Sequence, residues 1–112
     1  MNYIDTKLIN QLDINNLIGL SFNQACFGRN EIIIWLDPGA SITIFGSDDF
    51  LNSPKRILRF LNSKILGASI NTINGDLELL FKEGEVSILN NDEFESFIID
   101  LDNKSYVSRK VK

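Results

Sequence analysis

The sequence has no histidine, one cysteine (Cys26), one tryptophan (Trp35) and two prolines in 112 residues. Without histidine, Ser-His-Asp and Cys-His catalysis are excluded, and the commonest transition-metal ligand is missing. A single cysteine makes neither an intramolecular disulfide nor a structural zinc site. Flanked by Ala25 and Phe27, Cys26 is expected to be a small buried hydrophobe. The glycines are scattered among turns, and neither GxGxxG nor a Walker-type loop occurs, so no nucleotide cofactor is expected. No apolar run approaches the roughly 20 residues of a membrane span. The N-terminus, MNYIDTKLINQLD, lacks the basic and apolar regions of a secretory signal. A cytoplasmic protein with no membrane partner is the expectation.

What is present suits one ordinary globular domain over residues 1–112, with 44% hydrophobic and 23% charged residues. The net charge of −4 and the pI near 4.7 disfavour nucleic acid as a partner, because phosphate contacts need clustered Lys and Arg. The same balance suits a basic protein surface.

Periodicity points to β structure. In GDLELLFKEGEVSIL, Leu77, Leu79 and Phe81 alternate with Glu78, Leu80 and Lys82. Lys82-Glu83-Gly84-Glu85 supplies a turn, after which Val86 and Ile88 resume the alternation. Upstream, a strand over 17–27 ends at Gly28-Arg29-Asn30, and Glu31–Leu36 with Ser41–Phe45 form a hairpin about Asp37-Pro38-Gly39-Ala40. Residues 95–101 form a last long strand, with Phe97, Ile99 and Leu101 inward and Ser96 and Asp100 outward; Tyr106-Val107 adds a short one. Residues 4–12 have the spacing of a short helix, with a strand as the competing reading. One main helix is expected at about 54–64, opened by Ser53-Pro54, with Ile57, Leu58, Leu61 and Ile65 on its apolar side.

The segments before and after that helix resemble each other. Residues 18–23 align with 66–71, 31–39 with 76–84, and 48–50 with 92–94. The expected fold is therefore α+β and mainly antiparallel: a duplicated three-stranded meander, about 17–50 and 65–94, forming a sandwich or half-barrel with the helix packed on it. In this alignment Ile32, Ile34 and Leu36 match Leu77, Leu79 and Phe81 as the core side. Ile33 and Trp35 then need a cover, which is the helix, the N-terminal segment or a partner; the helix is expected.

Carboxylates are the remaining chemistry. Asp48 and Asp49, and Asp92, Glu93 and Glu95, fall just past the third strand of each copy. Solvated turn residues, an acidic patch for a basic protein, and a metal or acid–base pair are the three readings; the DxDxDG spacing of a calcium loop is absent. No catalytic residue and no metal ligand is assigned.

The C-terminal half, GDLELLFKEGEVSILNNDEFESFIID, resembles small bacterial immunity proteins of polymorphic-toxin and contact-dependent growth inhibition loci. The likeness rests on a Gly-x-Leu-x-Leu-x-Phe strand, a Gly turn, an alternating strand and the segment Phe94-Glu95-Ser96-Phe97. It implies a cytoplasmic antitoxin that binds a cognate protein toxin, with a nuclease among the candidates, and occludes its active site or substrate surface. Motif matching carries over no contact residue. The toxin-binding candidates are Asp48, Asp49, Asp92, Glu93, Glu95 and Trp35, with Phe50, Phe94 and Tyr106 as further aromatic anchors. The alternatives are a non-catalytic structural or adaptor module, and a small-molecule-binding half-barrel. Charge reversal at Asp48, Asp49, Asp92 and Glu93 is expected to slow association with a basic partner and to flatten its salt dependence. Stopped-flow association rates across a salt series check this; unchanged rates remove the acidic set from the binding surface.

Overall fold

A computed structural model describes residues 5–45, 54–90 and 96–108. In order along the chain, the strands are β1 (Asp5–Leu8), β2 (Ser21–Phe27), β3 (Glu31–Asp37), β4 (Ala40–Phe45), β5 (Gly67–Ile70), β6 (Leu77–Phe81), β7 (Gly84–Ile88), β8 (Phe97–Leu101) and β9 (Lys104–Val107). Six of them form one sheet in the order β1-β9-β8-β4-β3-β2, and β5-β6-β7 form a second. All pairings are antiparallel except β1 with β9.

Local chemistry explains the turns. Asp102 and Asn103 both have positive φ (54° and 63°), the conformation of a tight hairpin that Asp and Asn tolerate better than other non-glycine residues. Gly39 supplies φ 67° between β3 and β4. Each of the two segments that align in sequence is a three-stranded antiparallel meander, β2-β3-β4 and β5-β6-β7.

Alternation sorts the faces. Ile32, Ile34 and Leu36 of β3, Ile42 and Ile44 of β4, and Phe97, Ile99 and Leu101 of β8 are buried. They share one core with Leu77, Leu79, Phe81, Val86 and Ile88 of the smaller sheet. Phe81 stacks on Phe60 (centroids 4.7 Å, 23° between planes) and leans on Phe22 of β2 (6.4 Å, 56°). Backbone pairing closes one side of the molecule. Asn62 N–H donates to Phe22 O (2.7 Å), Phe22 N–H to Ser63 O (2.9 Å) and Ile65 N–H to Leu20 O (2.8 Å); one residue on, Leu66 N–H reaches Leu80 O of β6 (2.8 Å).

Several expectations change. The helix expected at about 54–64 is a 3₁₀ segment, Pro54–Phe60, and the described residues contain no α-helix. The buried residues explain the difference: Ile57 (1% exposed) and Phe60 (3%) are three apart, the repeat of a 3₁₀ turn, whereas Leu58 and Leu61 face outward. The α-helical stripe would bury Leu58 and Leu61 as well, and both stay exposed (47% and 38%). A segment of two turns has little intrinsic helical stability, so anchoring by Phe60 decides its winding. Asn62, at φ 68°, ends it. The N-terminal residues form β1 and then a 3₁₀ turn at Ile9–Gln11, so the strand reading holds there. Residues Ile14–Leu17 form another 3₁₀ turn, where the Asp13 carboxylate accepts from Asn15 N–H (3.1 Å), and β2 starts only at Ser21. Ser96, expected outward, is fully buried; its N–H donates to Ser108 Oγ (2.7 Å).

Phe60→Ala is expected to cost about 3–5 kcal/mol of stability, as large-to-small changes in aromatic cores do. Leu58→Ala is expected to stay within about 0.5 kcal/mol, as an exposed position should. Urea unfolding of the two variants measures both, and the reverse ranking would restore the α-helical stripe.

Candidate functional site

The core consumes one face of the six-stranded sheet and leaves the other outward. Strand register lines up the outward residues in two rows. One runs Gln24, Trp35, Ser41, Asp100, Ser105 and Thr6. The next runs Cys26, Ile33, Thr43, Ile98, Val107 and Leu8. A bulge in β2 between Phe22 and Gln24 makes this possible: it keeps Phe22 opposite Leu36 on the core side while turning Gln24 and Cys26 outward beside Trp35 and Ile33. The first row is polar around a tryptophan and the second is largely apolar.

Trp35 keeps 44% of its surface exposed, and Leu8 on the far edge keeps 47%. The expected cover of Trp35 by residues 54–64 does not occur, because Ile57 and Phe60 are directed into the core. Cys26 is half-buried on the same outer face, where its sulfur accepts from Gln24 Nε2 (3.4 Å), so it is not the core residue expected.

An open cleft of about 620 Å³ lies where β3 turns into β4 and β8 into β9. Trp35 and Gln24 line one side, Asp100, Asn103 and Lys104 the other, with Ser41 between and Asp37 at the turn. Asp100 is held by two hydroxyls: Ser105 Oγ donates to Oδ1, and Ser41 Oγ to Oδ2 (3.5 Å). Each carboxylate oxygen keeps capacity for another donor. A smaller cleft of about 220 Å³ lies on the second sheet beside Glu78, Leu80 and Glu85. The interior is filled by apolar side chains, so the larger cleft is a feature of the sheet surface and not of a barrel lumen.

Of the candidates chosen from sequence, Trp35 stands in this cleft. Asp48, Asp49, Asp92, Glu93 and Glu95, with Phe50 and Phe94, lie outside the described residues. The strand ends that flank those acidic segments are neighbours, since Phe45 N–H donates to Ser96 O (2.9 Å); the cleft is at the opposite end of β4 and β8. Tyr106 is buried and belongs to the core, so it is not an exposed anchor. Sequence reading missed Asp100, Ser41 and Ser105 as a group. Alternation put Asp100 outward, but only the register β3-β4-β8-β9 brings the three together. Among the described residues no group of three or more Cys, Asp or Glu side chains is placed to hold a metal. No helix among them is long and apolar enough to cross a membrane.

Set against known proteins, the chain matches no described family, no curated protein and no solved structure.

Because Trp35 is the only tryptophan, its fluorescence reports this face without ambiguity. Emission is expected to be that of a partly hydrated indole and to be quenched by both acrylamide and iodide. A blue-shifted, iodide-resistant spectrum would place Trp35 under a cover.

Proposed function

We propose that this chain is a non-catalytic, cytoplasmic antitoxin of the immunity type, which binds a cognate protein toxin through the outer face of its six-stranded sheet. The observation that carries the reading is the half-exposed Trp35, standing in a polar row beside an apolar one on one continuous sheet. Binding energy at protein interfaces concentrates in such aromatic anchors, flanked by apolar contacts and rimmed by polar groups. Ile33 and Ile98 supply the apolar flank, and Gln24, Asn103 and Lys104 supply polar rim groups. The acidic charge supports a basic partner, a property of nucleic-acid-directed toxins, and Asp48, Asp49, Asp92, Glu93 and Glu95 are retained as its steering groups. Rigid strands hold Trp35, Ile33 and Ile98 in place before the partner arrives, which lowers the ordering cost of association. The pairing of two similar meanders is consistent with descent from a doubled segment.

Co-expression with the toxin encoded beside it is expected to yield a 1:1 complex and to protect the cell. Trp35→Ala should weaken that complex by about 2 kcal/mol or more, as truncation of an aromatic anchor does. Leu80→Ala, on the second sheet, should leave it unchanged. Isothermal titration gives both values; loss of affinity at Leu80 alone would move the interface to the other sheet, and failure to protect would end the toxin assignment.

A further inference from the structure

The cleft beside Trp35 has chemistry specific enough to name the group it takes, an inference that rests on the protein-binding reading above. Trp35 and Asp100 flank β4 from β3 and β8, so their Cα atoms are about 10 Å apart, two inter-strand steps. Ser41 lies between them, nearly fully buried, and its short side chain leaves a notch between the indole and the carboxylate. The hydroxyls of Ser41 and Ser105 hold the Asp100 carboxylate in place while leaving it room to accept from a ligand. Asp37 adds a second negative charge at the lining, against one positive charge, Lys104.

The alternatives fail on chemistry. An anion would meet two carboxylates. An apolar group would strip water from Asp100 with no compensating donor. A cation gains from both walls, the ring face through its quadrupole and the carboxylate through charge-assisted hydrogen bonds. A guanidinium suits this geometry better than an ammonium, being planar, able to stack on indole and able to donate more than one N–H sideways. The notch is open, and Ile33 follows Trp35 as the next outward residue on β3, so a side chain presented by a protein surface reaches the notch while its neighbours rest on the apolar row. We propose that this cleft receives an arginine side chain of the protein partner, stacked on Trp35 and hydrogen-bonded to Asp100.

The test is a titration of the full ¹⁵N-labelled chain with N-acetyl-arginine amide, followed by NMR. N-acetyl-lysine amide and N-acetyl-citrulline amide, the latter uncharged and nearly isosteric with arginine, serve as comparisons. Saturable shifts are expected at the Trp35 indole N–H and at the amides of Ser41, Asp100 and Ser105. The lysine compound should bind about threefold more weakly, and the citrulline compound should not saturate. Asp100→Asn should weaken arginine binding about tenfold. Lys104→Gln, which removes the competing cation without touching the Asp100 hydroxyl contacts, should tighten it about twofold at low salt. Shifts away from the cleft, equal binding of citrulline, or weakening by Lys104→Gln overturns the proposal. A toxin complex that depends on Trp35, with no arginine response in the cleft, defeats this inference and leaves the antitoxin reading standing. An arginine response without any toxin complex does the reverse.

Discussion

The contact between Phe81 and its two aromatic neighbours holds the two sheets to a common core. Phe22 comes from the six-stranded sheet, Phe81 from the three-stranded one, and Phe60 from the 3₁₀ segment that leads from one to the other. Aromatic pairs in these arrangements add about 0.5–1.5 kcal/mol beyond the area they bury. The geometry matters more than the sum. The segment before Asn62 winds as a 3₁₀ helix with Ile57 and Phe60, three residues apart, both turned inward, and Phe60 stacks on Phe81. The following residues, Asn62–Ile65, can then lie along Leu20–Phe22 and pair their backbone groups with it. One aromatic cluster thus sets the winding of a segment, the closure of one side of the molecule and the entry of β5.

This arrangement leaves the outer face of the larger sheet uncommitted to the core. The 3₁₀ segment is drawn inward by Ile57 and Phe60, and Trp35 keeps 44% of its surface exposed. The bulge in β2 adds to the effect by bringing Gln24 outward beside the indole. A buried serine at the start of β4, between Trp35 and Asp100 on the neighbouring strands, makes the surface concave. The face therefore combines a flat apolar stretch with a polar notch, an arrangement that can both exclude water and set orientation at an interface.

Much of the β structure could be read in the chain because a strand with one buried face writes itself in alternate residues. Leu77, Leu79 and Phe81, and Ile32, Ile34 and Leu36, face the core as their spacing indicates. The turns at Gly28-Arg29-Asn30 and Asp37-Pro38-Gly39 stand where their residues place them. Ser96 and Tyr106 were harder. Ser96 precedes β8 and is buried with its N–H on the Ser108 hydroxyl, and Tyr106 is buried in β9, opposite Ile99 on the core face. The stripe assigned to 54–64 failed for a different reason: over two turns, periods of 3.0 and 3.6 diverge by little, so the partner Phe81 had to choose between them.

The sequence by itself determined the class of structure, the sidedness of the central strands and the exclusion of histidine chemistry, because these depend on residue identity and on separations of one or two residues. Tertiary structure decided which strands became neighbours, and with that the candidate site. Trp35, Ser41, Asp100 and Ser105 are up to 70 residues apart along the chain. They form one row only because β3, β4, β8 and β9 adopt a particular order and register. Alternation says which way a side chain points; it carries no information about what lies beside it across a hydrogen-bonded edge, and that proximity creates the cleft.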